Sequence, residues 1–121
     1  MAEFKTAIKE NGNVSIINLA GFLDAHTASS LESEFTKLID SNRYRIVVDF
    51  KDLAYISSAG LGVFMAYIEK IRDNNGDIKL SGMSDKVFNI FDLLGFPLLY
   101  EIFKSEEEAV NKFKEINSSE K

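Results

Sequence analysis

Short apolar runs alternate along this chain with longer segments in which apolar residues recur at the spacing of a helix. Residues 14–20 are β-branched and apolar, and residues 45–50 include a run that is apolar on both faces. Such a run is typical of a strand in a parallel sheet whose two faces are both covered. Shorter strands are predicted at residues 4–8, 78–81 and 98–103, so we expect four or five strands with a hairpin turn after the first.

Four segments have helical spacing and are predicted to be helices. They cover residues 25–40, the segment from the serines at 57 and 58 to about Arg72, residues 85–94 and residues 105–116. Alternation of strands and helices predicts an α/β fold: one domain over residues 1–116, with a mixed, mostly parallel four- to five-stranded sheet and about four helices. Residues 117–121 are polar, and we expect a disordered tail there. The side chains expected to face inward from the third helix are Val87, Phe88, Phe91 and Leu94, and Phe113 and Ile116 are expected to pack the last helix inward.

Composition limits the classes of function. The chain of 121 residues has no cysteine and a single histidine, His26, so disulfides, thiolate catalysis and Cys- or multi-His metal sites are excluded. The net charge of −5 and the lack of a basic patch argue against nucleic-acid binding. No secretory signal and no apolar run of about 20 residues is visible, which argues against secretion and membrane insertion. We therefore expect a cytoplasmic protein that binds other proteins and needs no cofactor or metal.

The segment 55–62, Tyr-Ile-Ser-Ser-Ala-Gly-Leu-Gly, is the most informative stretch of the chain. Its serines, Ser57 and Ser58, stand where a strand is expected to give way to a helix. A hydroxyl at a helix N-terminus caps free backbone N–H groups, and an added phosphate is tolerated there because the helix end is positive. Gly60 and Gly62 each cost roughly 0.5–1 kcal/mol in a helix, which predicts a close approach of another backbone or tight packing against a strand. The segment is therefore either a helix cap or a phosphorylation switch.

Other chemistry is conceivable for the serine loop and its surroundings. A catalytic serine would need a base, for which His26 is the only histidine, but the G-x-S-x-G pattern is absent. The segment also lacks the lysine of a phosphate-binding loop. Asp24 is either a turn acid or a carboxylate that orients the serine, and Asp49 and Asp52 are expected near the same rim, where three acids could bind Mg²⁺. We expect Leu61, just past the serines, to be exposed as a contact residue.

Three segments together resemble the STAS domain of bacterial anti-sigma factor antagonists. Residues 21–27, Gly-Phe-Leu-Asp-Ala-His-Thr, are similar to the family's G-x-L-D-x-x-T segment. Residues 48–62 are similar to its strand, loop and phosphorylatable serine, and residues 91–96 to the end of its third helix. The order and spacing match over nearly the whole chain.

The resemblance implies a non-enzymatic, phosphorylation-controlled binding module that regulates transcription. The unphosphorylated antagonist would bind an anti-sigma factor that is also a serine kinase, phosphorylation of Ser58 would end the complex, and a PP2C-type phosphatase would restore it. Many antagonists have aspartate where this chain has Ser57, and serine or threonine where it has Ala59, so Ser57 is an alternative acceptor. We expect Ser58 also to cap the helix, so that a phosphate there leaves the fold intact. The expected partner-binding residues are Asp24, Thr27, Ser57, Ser58, Gly60 and Leu61.

Two other functions are consistent with the sequence. The STAS module also occurs in stressosome scaffolds, so a module that is never phosphorylated, and that acts as a scaffold or binds a ligand, is the main alternative. A small serine hydrolase is the remote alternative.

Overall fold

Five strands form one mixed sheet at the centre of the molecule, whose computed structural model describes the backbone of residues 4–119 and the side chains of residues 4–115. The order across the sheet is β1-β2-β3-β4-β5, with β1 antiparallel to β2 and the other neighbours parallel. The predicted mixed, mostly parallel sheet is confirmed. The strands are β1 Lys5–Asn11, β2 Val14–Leu23, β3 Arg45–Ile56, β4 Asp77–Ser81 and β5 Ile102–Phe103.

Helices cover the two faces of the sheet unequally. The larger core cluster joins α1, α2 and α3 to one face, while α4 packs on the other face against Val14, Ile16 and Val47. Among residues 4–119, no helix is both long enough and apolar enough to cross a membrane. The helices are α1 Ala28–Asp40, α2 Ser58–Asp73, α3 Asp85–Leu93 and α4 Glu106–Ser119, with a 3₁₀ turn at Phe96–Leu98 before β5.

A group of aromatic rings fixes the three helices on the larger core. Phe64 of α2 lies 5.9 Å from Phe35 of α1 and 5.7 Å from Phe50 of β3, measured between ring centroids. Phe91 of α3 lies 5.4 Å from Phe50. All four side chains are fully buried. Offset and edge-to-face contacts of this kind add to the hydrophobic gain, so α2 has a fixed position against β3.

The N-terminus of α4 is held by polar contacts. Ser105 caps the helix by accepting a hydrogen bond from the Glu108 N–H, as its capping motif predicts. Glu106 accepts from Asn18 and pairs with Lys9. Partial burial raises the pKa of the Glu106 carboxyl, but the hydrogen bonds from Asn18 and Lys9 and nearby lysine charges outweigh it and hold the pKa below its ordinary value. These contacts fix α4 over one half of the sheet.

Strands β2 and β3 extend further than their sequences indicate. They were expected to end at residues 20 and 50, but they run to Leu23 and Ile56, and their extensions pair with each other. The pairing shifts register between Asn18 and Ala20 and again between Gly21 and Phe22. The expected loop before the serines is therefore strand, and Ser57 alone separates β3 from α2.

The end of α3 also differs from the expectation. Val87 and Phe91 are buried as predicted, but the inward placement of Phe88 and Leu94 is wrong, because both are exposed. The helix ends at Leu93, and Gly95, with φ of 76°, turns the chain into the 3₁₀ segment. The expected strand at residues 98–103 shortens accordingly to β5.

Helix α4 continues three residues into the segment 117–121, where a tail is expected. Residues 120 and 121, and the side chain of Ile116, which was expected to pack inward, lie outside the described part of the chain. The tail therefore stays a prediction.

Candidate functional site

The turn after β2 and the junction after β3 form one rim at the carboxyl end of the sheet. Leu23 and Ile56 are paired at the ends of their strands, and the Ser57 N–H donates to the Leu23 carbonyl over 2.9 Å. Residues 21–27 therefore lie at the same end of the sheet as the serines. The carboxyl ends of parallel strands are where open α/β sheets place their binding sites.

The two serines have different structural roles. Ser57 is the N-cap of α2: its backbone is extended, and its Oγ accepts a hydrogen bond from the Gly60 N–H over 3.4 Å. Ser58 was expected to be the cap, and this is wrong, because Ser58 is the first helical residue. The Ser58 side chain is exposed, and its hydroxyl makes no hydrogen bond to any other described side chain or backbone group. One hydroxyl therefore caps the helix while the next one faces solvent.

Asp24 and Thr27 close the turn before α1. The Asp24 carboxylate accepts hydrogen bonds from the backbone N–H groups of His26, over 2.9 Å, and Thr27, over 3.2 Å. The Thr27 hydroxyl accepts from the Asp24 N–H and donates to the Phe22 carbonyl, both over 2.9 Å. Of the two interpretations of Asp24, these contacts support the turn acid, since the carboxylate makes no hydrogen bond to Ser57 or Ser58. The turn thereby holds a carboxylate on the rim beside the serine junction.

Gly60 seats the first turn of α2 against the strand ends. A Cβ at this position would lie 2.8 Å from Leu23 Cγ and 3.1 Å from the Leu23 carbonyl oxygen, so the predicted close approach is confirmed here. At Gly62 a Cβ would meet nothing within 4 Å, and the glycine faces solvent. The expectation that Leu61 is exposed is wrong: its side chain is 4% exposed, because the close seating at Gly60 turns it into the core.

Among the described residues, the rim does not bring together the groups that a serine hydrolase or a Mg²⁺ site would need. The His26 imidazole makes no hydrogen bond to Ser57 or Ser58 among the described side chains, so the pairing of serine and histidine that a hydrolase would use is not formed. Asp49 lies on the α4 side of the sheet, where it accepts from the Ser81 hydroxyl over 2.9 Å. The side chains of residues 4–115 include no group of three or more His, Asp or Glu that could hold a metal ion, so Asp24, Asp49 and Asp52 are not brought together.

An exposed aromatic pair lies beside the rim, and the sequence interpretation missed it. Phe22 and Tyr55 are paired across β2 and β3, with ring centroids 5.8 Å apart, and both side chains are exposed. Each precedes a buried residue, Leu23 or Ile56, so strand alternation could have placed both rings on the open face. The rings add an apolar surface next to the polar rim.

Comparison with known proteins finds anti-sigma factor antagonists both among related sequences and among solved structures. The 28% identical anti-sigma-B factor antagonist of Bacillus subtilis (strain 168) aligns over 103 residues, which cover 85% of this chain and 94% of that protein. An anti-sigma factor antagonist from Mycobacterium paratuberculosis superposes with a TM-score of 0.83 at 19% identity, covering 91% and 93% of the two chains. The Bacillus cell fate determinant SpoIIAA in its phosphorylated form superposes with a TM-score of 0.71 at 20% identity, covering 92% and 99%.

A family model also matches most of the chain. The model is that of the STAS domain, and it covers residues 5–109, which include every strand, the first three helices and the start of α4. The match contains the serine junction and the Asp24 turn, the two segments that form the rim. The chain therefore belongs to the STAS domain family.

Proposed function

We propose that this STAS domain is an anti-sigma factor antagonist, controlled by phosphorylation of Ser58. The unphosphorylated domain binds an anti-sigma factor with serine kinase activity in the cytoplasm, and phosphorylation releases it. One observation carries the proposal: Ser57 caps α2, so the exposed Ser58 hydroxyl beside it is free to react. The antagonist named in Bacillus subtilis and the phosphorylated form of SpoIIAA support it by similarity.

A phosphate on Ser58 would be compatible with the folded domain. Ser58 is the first residue of a 16-residue helix, so a phosphate there meets the positive end of the helix. The added charge, about −1.5 to −2, therefore need not disrupt α2. Release must then occur at the interface, by the bulk of the phosphate and by its repulsion from Asp24 or from acidic groups of the partner. A penalty of about 3 kcal/mol would weaken binding more than a hundredfold.

The proposed partner surface has a polar part and an apolar part. The polar part comprises Asp24, Thr27, Ser57 and Ser58, which adjoin through the bond from Ser57 to Leu23. Gly60 and Leu61 act from beneath, because they seat α2 and are themselves buried. The open space at Gly62 allows a partner backbone to approach α2 closely. The apolar part is the pair of rings, Phe22 and Tyr55, since exposed aromatic residues are enriched in binding hot spots.

A binding measurement tests the proposal. The partner is isolated by pull-down from the native host, and its affinity for wild type, Ser58→Ala and Ser58→Asp is measured by calorimetry. We expect Ser58→Ala to bind like wild type and Ser58→Asp to bind about a hundredfold more weakly, with an unchanged thermal transition. Phe22→Ala should also weaken binding, by roughly tenfold.

Binding measurements on the same proteins, with ATP or a phosphatase added, distinguish the switch from a constitutive scaffold. Equal binding by wild type and Ser58→Asp would refute the switch. A stable complex that ATP does not dissolve would instead indicate a constitutive scaffold. A PP2C-type phosphatase should restore binding of the phosphorylated domain, which completes the proposed cycle.

A further inference from the structure

Four leucines project into solvent from the end of α3 and from the segment that joins it to β5. Leu93 is 87% exposed and Leu98 is 90% exposed, and Leu94 and Leu99 are also exposed. We call these four residues the leucine ridge. Isolated leucines on a surface are ordinary, but a contiguous apolar patch usually marks an interaction site. Among the described residues, the ridge contains the two most exposed large hydrophobic side chains.

An apolar groove runs beside the leucine ridge, between α3 and the edge strand β5. Phe88, Ile102 and Phe103 line it along its length, and Leu98 and Leu99 border one end. Because the Leu80 N–H donates to the Glu101 carbonyl and the Gly82 N–H to the Phe103 carbonyl, the backbone of Ile102 faces away from β4. The patch therefore offers projecting apolar side chains next to a recess lined in part by apolar residues.

Packing beneath the segment prevents the leucines from turning inward. The rings of Phe96 and Tyr100 are buried and stacked, with centroids 5.4 Å apart. Arg72 lies over the Tyr100 ring and donates to the Leu99 carbonyl. Rotating the segment to bury Leu98 would expose these two aromatic rings. The leucine ridge is therefore a fixed feature of the fold.

We propose that the leucine ridge and its groove bind a second copy of this chain. The ridge and Phe88 expose on the order of 500 Å² of apolar surface, near the upper end for the largest patch of a monomer. Two copies around a two-fold axis would cover about twice that area, and the polar rim of the contact brings the total to the roughly 1,200 Å² at which stable interfaces begin. A ridge beside a groove also suits a two-fold contact, in which the same patch serves both partners.

The proposed dimer contact is separate from the serine rim. Helix α2 has Ser58 at one end, and Arg72, which contacts Leu99, near the other. A helix of 16 residues is about 24 Å long, so the two surfaces lie at opposite ends of α2. A dimer would therefore present two free rims. The proposal does not depend on phosphorylation of Ser58.

Sedimentation equilibrium over about 10–500 µM tests the proposal. We expect wild type to form a dimer, and Leu93→Glu and Leu98→Glu each to weaken self-association at least about tenfold. Both side chains are exposed, so circular dichroism should show unchanged folding. Ala66→Glu, at an exposed apolar residue in the middle of α2, is the matched control and should dimerise like wild type.

Salt dependence gives a second readout. Each copy has a net charge of −5, so added salt screens the repulsion and should strengthen an apolar contact. A wild type that stays monomeric throughout the concentration range would overturn the proposal and leave the patch to a different partner. A dimer that neither leucine substitution weakens would overturn it as well.

Discussion

Ser57 donates its backbone N–H to the carbonyl of Leu23 over 2.9 Å, and this bond ties the start of α2 to the end of β2. The hydroxyl of the same residue accepts from Gly60, so both polar groups of Ser57 that face the junction have structural partners. Ser58 is left as the exposed serine of the pair. Ser57 is therefore a structural residue, and Ser58 is the serine that is available for modification.

The two serines should differ in their contribution to stability. Ser57→Ala removes the cap of α2 and is expected to lower the free energy of unfolding by about 0.5–1 kcal/mol, the low end for a cap because the 3.4 Å bond is long. Ser58→Ala removes an exposed hydroxyl and should stay within about 0.5 kcal/mol of wild type. Urea unfolding of both variants checks this, and a larger loss from Ser58→Ala would contradict the assignment of the cap.

The two glycines at the start of α2 should respond in opposite directions to alanine. Gly60→Ala places a methyl group 2.8 Å from Leu23 Cγ, so we expect a destabilisation of about 1–3 kcal/mol. Gly62→Ala meets open space and should stabilise the domain by about 0.5–1 kcal/mol, because alanine favours the helix. Thermal unfolding compares them. If Gly62→Ala stabilises the free domain but weakens partner binding, close approach at this glycine is supported; two shifts of the same sign in stability would refute the packing argument.

Two substitutions of Asp24 can separate the effect of its charge from its role in forming the turn. Asp24→Asn keeps an oxygen that can accept from His26 and Thr27, so its unfolding free energy should stay close to that of wild type. Asp24→Ala loses the oxygen that accepts both hydrogen bonds and should cost about 1–2 kcal/mol. If repulsion from Asp24 helps to release the phosphorylated domain, phosphorylated Asp24→Asn should retain several-fold more partner binding than phosphorylated wild type. If phosphorylation releases wild type and Asp24→Asn equally, the repulsion comes from acidic groups of the partner alone.

The order of elements could be predicted from the sequence, but the details of the rim could not. The predicted order is confirmed, because β3 contains the apolar run at residues 46–48 and the helices have clear helical spacing. At the end of β3, register shifts space the inward residues Phe50, Leu53 and Ile56 three apart, which hides the period of two that identifies a strand. Which serine caps α2 depends on the backbone conformation at the junction, because either hydroxyl could accept the capping hydrogen bond.

Two side-chain placements also depended on three-dimensional packing. Leu61 is buried because Gly60 lets α2 approach Leu23 closely, and no local pattern indicates that contact. Leu94 has the spacing of an inward residue, but α3 ends one residue before it. These differences moved the expected contact surface away from Leu61 and towards Phe22 and Tyr55.

Tyr100 should give the domain a specific loss of stability at alkaline pH. Burial raises the pKa of its hydroxyl to about 12, although the charge of Arg72 opposes this. Since the unfolded pKa is about 10, the stabilisation is complete below pH 10 and is lost as the pH rises towards 12. Near pH 11, wild type should have lost about 1 kcal/mol more than Tyr100→Phe relative to neutral pH. Urea unfolding at several pH values measures this, and parallel curves for wild type and Tyr100→Phe would contradict it.

Mass spectrometry of the phosphorylated domain tests the central claim most directly. Wild type, Ser57→Ala and Ser58→Ala are each incubated with ATP and the anti-sigma factor kinase recovered from the native host, and the modified residue is then located by fragmentation. The account predicts one phosphate on Ser58 in wild type and in Ser57→Ala, and none in Ser58→Ala. Phosphate located on Ser57, or retained in Ser58→Ala, would contradict the assignment of Ser58 as the switch.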